Sequence, residues 1–331
     1  MVGILKIDHS SKELTVLEEL PDLEGCVYLK LDCSCNRLTK LPLLPKNLVR
    51  LNCNNNDLIS LPELNDGLEE LYCSDNQLVC LPDLNQNLKD LNCSNNNLIK
   101  LPVLNENLKY LGCNYNTLIS LPDLPVGLTY LHCQNNQLET LPVLNSNLLQ
   151  FYCNNNNITI LPDLPDSLMY LNCSNNKIKK LPKLNNNLNI LNCSNNIIDL
   201  LPELPVNLKK LSCNDNRLEM LPMLNNIEIY LSCENNSRLY LIYSESITET
   251  FYGAITTIKI NTINSFRFLY YSLKCGNRLF YAILKKRINK HRDELVYKAN
   301  EIMYRPSVIS DLVSQFGITM NTTYILSSII V

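Results

Sequence analysis

The feature that most constrains this chain is a repeat of 20 residues that runs without drift from Leu41 to Tyr240. Ten units stack in phase, and stacking them produces columns. Pro42, Pro62 and their successors to Pro222 form one column. Leu51 to Leu231 form a second, broken only by Phe151. Cys53, Cys73, Cys93, Cys113, Cys133, Cys153, Cys173, Cys193, Cys213 and Cys233 form a third, and Asn56 to Asn236 a fourth. Residues 20–40 supply an eleventh unit, with Leu31, Cys33, Asn36 and Leu38 in phase after one inserted residue.

Elementary chain geometry explains the columns. Leu51 and Cys53 alternate at period two, so they share one face of a short strand. Leu48 and Leu58 enter and leave that strand pointing the same way. Leu41 and Leu44 line a return path. Pro42 between them fixes φ and lacks an N–H, which makes that path extended or turn-like rather than α-helical. Position 47 and its equivalents are Asn or Gly in eight of ten units, which predicts a left-handed turn into the strand. Asn56 stands where the chain leaves the strand. Its amide is placed to satisfy backbone groups of its own turn and of the adjacent coil.

The unit reads LPxL-P/N-xxLxxLxCxxNxLxx. It resembles the leucine-rich repeat family, whose signature is carried here by Leu48, Leu51, Cys53, Asn56 and Leu58. The 20-residue length and the LPxLPxx half resemble the short subclass of secreted bacterial effectors. Similar arrays occur in giant DNA viruses, and the Asn-, Ile- and Lys-rich composition suits an AT-rich genome of that kind. The resemblance implies a solenoid with a curved parallel sheet on its concave face and a polyproline-like or irregular convex side. One such coil cannot bury its own core, so stability must come from stacking. Strands at about 4.8 Å spacing, repeated over the array, make a sheet about 50 Å long.

The cysteine column allows four readings: nucleophile, metal ligand, disulfide or small buried hydrophobe. In-register parallel strands hold equivalent Cβ atoms about 4.8 Å apart, wider than the roughly 3.5–4.5 Å of a disulfide. The total of 15 cysteines is odd. No CxxC occurs, and His9, His132 and His291 are scattered, so no metal and no cofactor is expected. The buried-hydrophobe reading remains, and many buried free thiols point to a reducing compartment. Glycan sequons at Asn92, Asn172 and Asn192 agree, because sugars there would block the sheet face.

Outside the array, residues 1–19 read as an N-terminal cap. Ile4, Leu5 and Ile7 suggest a strand, and Leu14 and Leu17 either continue a degenerate repeat or return as a hairpin around Ser10 and Ser11. The array spans 20–240. Residues 241–331 read as a C-terminal cap or small mixed α+β domain, with strand-favouring residues to about 271 and a helical pattern over 277–304 that Pro306 follows. Net charge is −3, which gives no global case for nucleic acid. The charge is uneven: residues 241–331 hold 11 Lys/Arg against 6 Asp/Glu. Lys285, Lys286, Arg287, Lys290 and Arg292 form a basic run that is either a solvated helix face or a patch for an anionic partner. The start, MVGILKIDHSSKEL, is broken by Lys6 and Asp8 and does not read as a signal peptide. The apolar run Tyr324–Val331 is far shorter than the roughly 20 residues of a membrane span. The expectation is a soluble protein in a reducing cytoplasm, which the effector resemblance extends to a host cytoplasm.

The resemblance places ligands on the concave strand face, where positions 50 and 52 and their equivalents point outward. Tyr110, Tyr130, Tyr152, Tyr170 and His132 gather on neighbouring strands there, and Gly112 is expected to leave a dent beside His132. Two readings stay open: the tyrosines cover an exposed sheet, or they hold a protein ligand. No small-molecule substrate is expected. The leading functional reading is a non-catalytic protein-interaction scaffold. The alternatives are an effector-type ubiquitin ligase and a structural particle component. For the ligase the candidate nucleophile is Cys275, but the tail is short for that domain and Asn277 replaces an expected acid.

Overall fold

The computed structural model describes residues 4–18, 28–219, 221–222 and 230–236. They form one sheet of twelve parallel strands in chain order. The strands are β1 Ile4–Asp8, β2 Tyr28–Asp32, β3 Leu48–Asn52, β4 Glu70–Tyr72, β5 Asp90–Asn92, β6 Tyr110–Gly112, β7 Tyr130–His132, β8 Gln150–Tyr152, β9 Tyr170–Asn172, β10 Ile190–Asn192, β11 Lys210–Ser212 and β12 Tyr230–Ser232. Equivalent residues of successive units pair, as in Leu51 with Leu71 and Leu71 with Leu91. The register slips between Leu29 and Lys30, so that Val49 has no register partner on β2. The segment expected over 241–331, with its helix, the basic run Lys285, Lys286, Arg287, Lys290 and Arg292, and Cys275, lies outside the described residues.

The N-terminal segment takes the degenerate-repeat path rather than the hairpin. β1 is parallel to β2, with Ile7 opposite Leu31. Ser11 is left-handed like Cys35 in the next coil, and the Leu14 carbonyl accepts from Arg37 N–H as Leu38 accepts from Asp57 N–H. His9 and Lys12 therefore stand where later coils have Cys and Asn.

The core is the predicted set of columns. Leu48, Leu51, Cys53 and Leu58 are fully buried, and so are their equivalents through the coil of β11, whereas Cys233 in the last described coil is half-buried. The thiols from Cys33 to Cys213 in this column have 0% exposure. Burial pushes the Cys33, Cys93 and Cys173 thiols up to about 12 and those of Cys53, Cys73 and Cys113 well above their ordinary value. Such thiols stay protonated and are poor nucleophiles. Three of them donate to the next strand: Cys93 to Gly112 O, Cys133 to Tyr152 O and Cys213 to Ser232 O, each at 3.4 Å. All thirteen described cysteines are unbridged.

The asparagine column ties each coil to the one before it. Asn116 Nδ2 donates to the carbonyls of Cys113 at 3.1 Å and Asn114 at 3.3 Å in its own coil, and to Cys93 at 3.0 Å in the preceding one. Its Oδ1 accepts from the buried Leu98 N–H at 3.0 Å. The same set recurs at Asn56, Asn96 and Asn196. It reinforces inter-coil backbone bonds that continue past the mostly three-residue strands, such as Cys113 N–H to His132 O, Tyr115 N–H to Gln134 O and Asn116 N–H to Asn135 O.

One expectation needs correcting. The left-handed residue is not at position 47 but at position 55, where Asn55, Asp75, Asn95, Asn135 and their equivalents have φ between 52° and 57°. The reason is the phase of the core. Positions 51 and 53 point inward at period two, yet the next inward positions are 56 and 58, so the alternation must slip by one. A left-handed residue supplies that slip, and Asn and Asp tolerate it best. Position 47 has another task. Asn87, Asn107, Asn147, Asn187 and Asn207 each donate from Nδ2 to a carbonyl of the preceding coil, at 2.7–2.9 Å.

Two outcomes test this account. Asn116→Ala leaves the buried Leu98 N–H unpartnered and removes one of two amide donors from each of the Cys93 and Cys113 carbonyls, and a urea titration should show about 2–3 kcal/mol less stability. The exposed Asn97→Ala should stay within about 0.5 kcal/mol. Second, Cys35 and Cys80 are the exposed described thiols. The double change Cys35→Ser with Cys80→Ser should therefore remove two fast-reacting equivalents in a native thiol titration with Ellman's reagent, while Cys133→Ser should remove none.

Candidate functional site

Strand alternation sends positions 50 and 52 to the open face of the sheet, opposite the core. Parallel register then brings side chains of successive strands side by side: Asp90 by Tyr110, Tyr110 by Tyr130, Gly112 by His132 and His132 by Tyr152. Three of the five predicted residues form a contiguous cluster. The Tyr110 and His132 rings meet edge to face at 5.3 Å, and the His132 and Tyr152 rings at 4.8 Å. Tyr130 and Tyr170 occupy the same face, half-buried, and join neither ring contact.

The dent expected at Gly112 is filled. A Cβ at that position would meet the Tyr110 hydroxyl at 2.8 Å and Asn92 Oδ1 at 3.0 Å, so the Tyr110 ring folds along its own strand over the glycine. That brings the Tyr110 hydroxyl to 3.4 Å from His132 Nδ1. Burial lowers the His132 pKa below its ordinary value of 6.5 and favours the neutral ring. With Tyr110 O–H donating to Nδ1, the ring proton sits on Nε2, which is enclosed and has no hydrogen-bond partner. Burial also raises the Tyr110 phenol.

A second cluster on this face was not singled out by sequence. Arg50 Nη1 pairs with Glu70 Oε2 at 2.9 Å, and its guanidinium lies 4.8 Å from the centre of the Tyr72 ring. The Tyr72 hydroxyl donates to the same Glu70 oxygen at 3.1 Å. Burial, with Glu70 beside it, pushes the Tyr72 phenol up to about 12. The signal was present as the charge sequence Lys30, Arg50, Glu70, Asp90 down one column. A third feature is Tyr115, which is 56% exposed and stands at φ 54° in a column otherwise dominated by Asn and Asp. A bulky residue there costs roughly 1–2 kcal/mol of backbone strain. It lies on the same coil as Tyr110 and Gly112.

Short coils, an unbroken parallel sheet and an asparagine ladder define a parallel β-solenoid. No protein-family model and no curated sequence matches the chain. Among solved structures it is similar to YopM from Yersinia enterocolitica WA-314, at 33% identity and a TM-score of 0.59, over 67% of this chain and 58% of that one. The chain thus spans 58% of that relative's length. It is also similar to YopM from Yersinia pestis, a leucine-rich effector protein, at 32% identity, a TM-score of 0.45 and coverage of 69% and 82%. A chain of the octameric complex of Latrophilin 3, Unc5D and the leucine-rich repeats of FLRT2 shares the fold at 23% identity, a TM-score of 0.53 and coverage of 64% and 82%. The chain belongs to the leucine-rich repeat family, in its short 20-residue form, and resembles bacterial effector members.

The His132 environment carries a pH consequence. Between its lowered folded-state pKa and 6.5 the unfolded chain binds more protons than the folded one, so stability falls as pH drops through that window. Scanning calorimetry at about pH 7.5 and about pH 5 should show a smaller loss of Tm for His132→Asn than for the unaltered chain.

Proposed function

We propose that this chain is a non-catalytic interaction scaffold that holds a protein partner on the open sheet face around Tyr110, Tyr130, His132, Tyr152 and Tyr170, in a reducing cytoplasm. The observation that carries the reading is the contiguous Tyr110–His132–Tyr152 cluster on a face that the core does not use. Tyrosine offers a large amphipathic contact area at low entropic cost, which is why it concentrates at binding hot spots. The cluster is preorganised: Gly112 lets the Tyr110 ring lie down, and the His132 ring is packed between two tyrosines. Less ordering remains to be done on binding. The buried free thiols support the reducing compartment. In the described residues no helix is long and apolar enough to cross a membrane.

The test is affinity capture with the full chain, immobilised, from a eukaryotic cell lysate. Tyr110→Ala, Tyr130→Ala and Tyr152→Ala made together should abolish retention of the proteins that the unaltered chain retains, with the far-ultraviolet circular dichroism unchanged. A control changing the exposed Leu43, Val103 and Val143 to Ser should retain them. Unchanged capture by the tyrosine variant refutes the site.

A further inference from the structure

The face next to the tyrosine cluster carries a carboxylate without a partner. Glu70 and Asp90 are register neighbours on β4 and β5, and Asp90 in turn neighbours Tyr110 on β6. Like charges directly across a strand pair repel. Glu70 is compensated, because Arg50 binds it at 2.9 Å and Tyr72 donates to it. The nearer lysine, Lys89, pairs with Glu69 at 2.7 Å. Among the described residues the Asp90 carboxylate has no hydrogen bond and no ion pair. Arg50 and Lys89 act on it only from a distance, and half-burial followed by Glu70 raises its pKa.

The chain itself shows what fills such a position. Two strands earlier in the same column, a guanidinium lies between a carboxylate and a tyrosine ring, with Arg50 against Glu70 and Tyr72. Asp90 is also a carboxylate beside aromatic rings, Tyr110 and Tyr130 on the next two strands rather than a tyrosine on its own strand as Tyr72 is to Glu70, and it has no guanidinium of its own. We infer that Asp90 and the adjoining tyrosines form a receptor for an arginine or lysine side chain, so that the partner presented to this face is a basic peptide segment. This rests on the sheet-face reading and deepens it by stating the chemistry of the partner. The cation offsets the Glu70–Asp90 repulsion and gains a ring face at the same time. The site is read at one charged group, so a segment with one well-placed Arg suffices for orientation, and the tyrosines supply contact area.

Fluorescence anisotropy tests this with two labelled Gly/Ser peptides, one carrying two arginines and the other two glutamates, titrated with the full chain. The arginine peptide should bind and the glutamate peptide should not. Asp90→Asn, which keeps the side-chain volume, should weaken the arginine peptide about tenfold, while Asp163→Asn on the exposed return path should leave it unchanged. Melting curves confirm that the Asp90 variant is folded. Equal binding of the arginine peptide to the unaltered chain and to Asp90→Asn overturns the inference, as does an absence of preference for arginine, or no binding up to about 1 mM chain. The two readings fail separately. Captured partners lost from the triple tyrosine variant but kept by Asp90→Asn refute the cation receptor alone. Partners kept by the tyrosine variant refute the face itself.

Discussion

Everything in this fold depends on one side-chain amide per coil. Backbone bonds between coils run on past the three-residue strands, but they leave the inward leucine N–H and the cysteine carbonyl of each coil without a backbone partner. The chain must also leave each strand through a left-handed residue that breaks the side-chain alternation, although its N–H still bonds the next coil, as Tyr115 N–H does to Gln134 O. The buried asparagine after that residue meets both needs. Its two N–H groups reach carbonyls of its own turn and of the coil before, and its oxygen takes a leucine N–H that would otherwise be orphaned in the core. Among short uncharged side chains asparagine alone offers two N–H donors and a separate carbonyl acceptor, whereas serine or threonine has one hydroxyl donor and aspartate would turn lone pairs toward carbonyls. The first coil illustrates the rule. Lys12 occupies the asparagine position there, and Asn36 of the following coil reaches back to Lys12 N–H, Leu14 N–H and His9 O.

The cysteine column follows from the same geometry. The inward position between leucine and asparagine lies where the coil tightens toward its left-handed turn. A thiol is small, apolar and able to donate weakly to the next carbonyl, which Cys93, Cys133 and Cys213 do. Desolvation keeps these thiols protonated, so a column of potential nucleophiles becomes inert packing.

The core was legible in the sequence because every coil poses the same problem and answers it with the same residues. Leu51, Cys53, Asn56 and Leu58 could be assigned inward from period and polarity. The left-handed turn was misplaced because several columns are rich in Asn and only one of them breaks the alternation. Comparing the inward positions 53 and 56 would have located it at 55. On the open face, position was legible but contact was not. Strand parity identified Tyr110, His132 and Tyr152 as neighbours, whereas the rotation of Tyr110 over Gly112 is a rotamer choice that no column records. The Arg50–Glu70–Tyr72 group was missed for a related reason. Its members sit in two different columns, and a pattern read down single columns does not join them.

This separation of duties has a consequence for how such a surface changes. Positions 51, 53, 56 and 58 are bound by packing and ladder, so substitutions there act on stability. Positions 50 and 52 are free of that constraint, and the twenty-residue period brings each of them against its equivalents in the coils before and after. They are not independent of one another. Gly112 is small because the Tyr110 ring lies over it, His132 is neutral because it is buried beside Tyr110 and Tyr152, and Glu70 is paired because Arg50 is one coil away. Changes on this face should therefore couple across adjacent coils and add independently at greater separation, as nearest-neighbour contacts require. A partner held there would be read by groups spanning two or three coils, and the rest of the array would act as the rigid frame that keeps those groups in place.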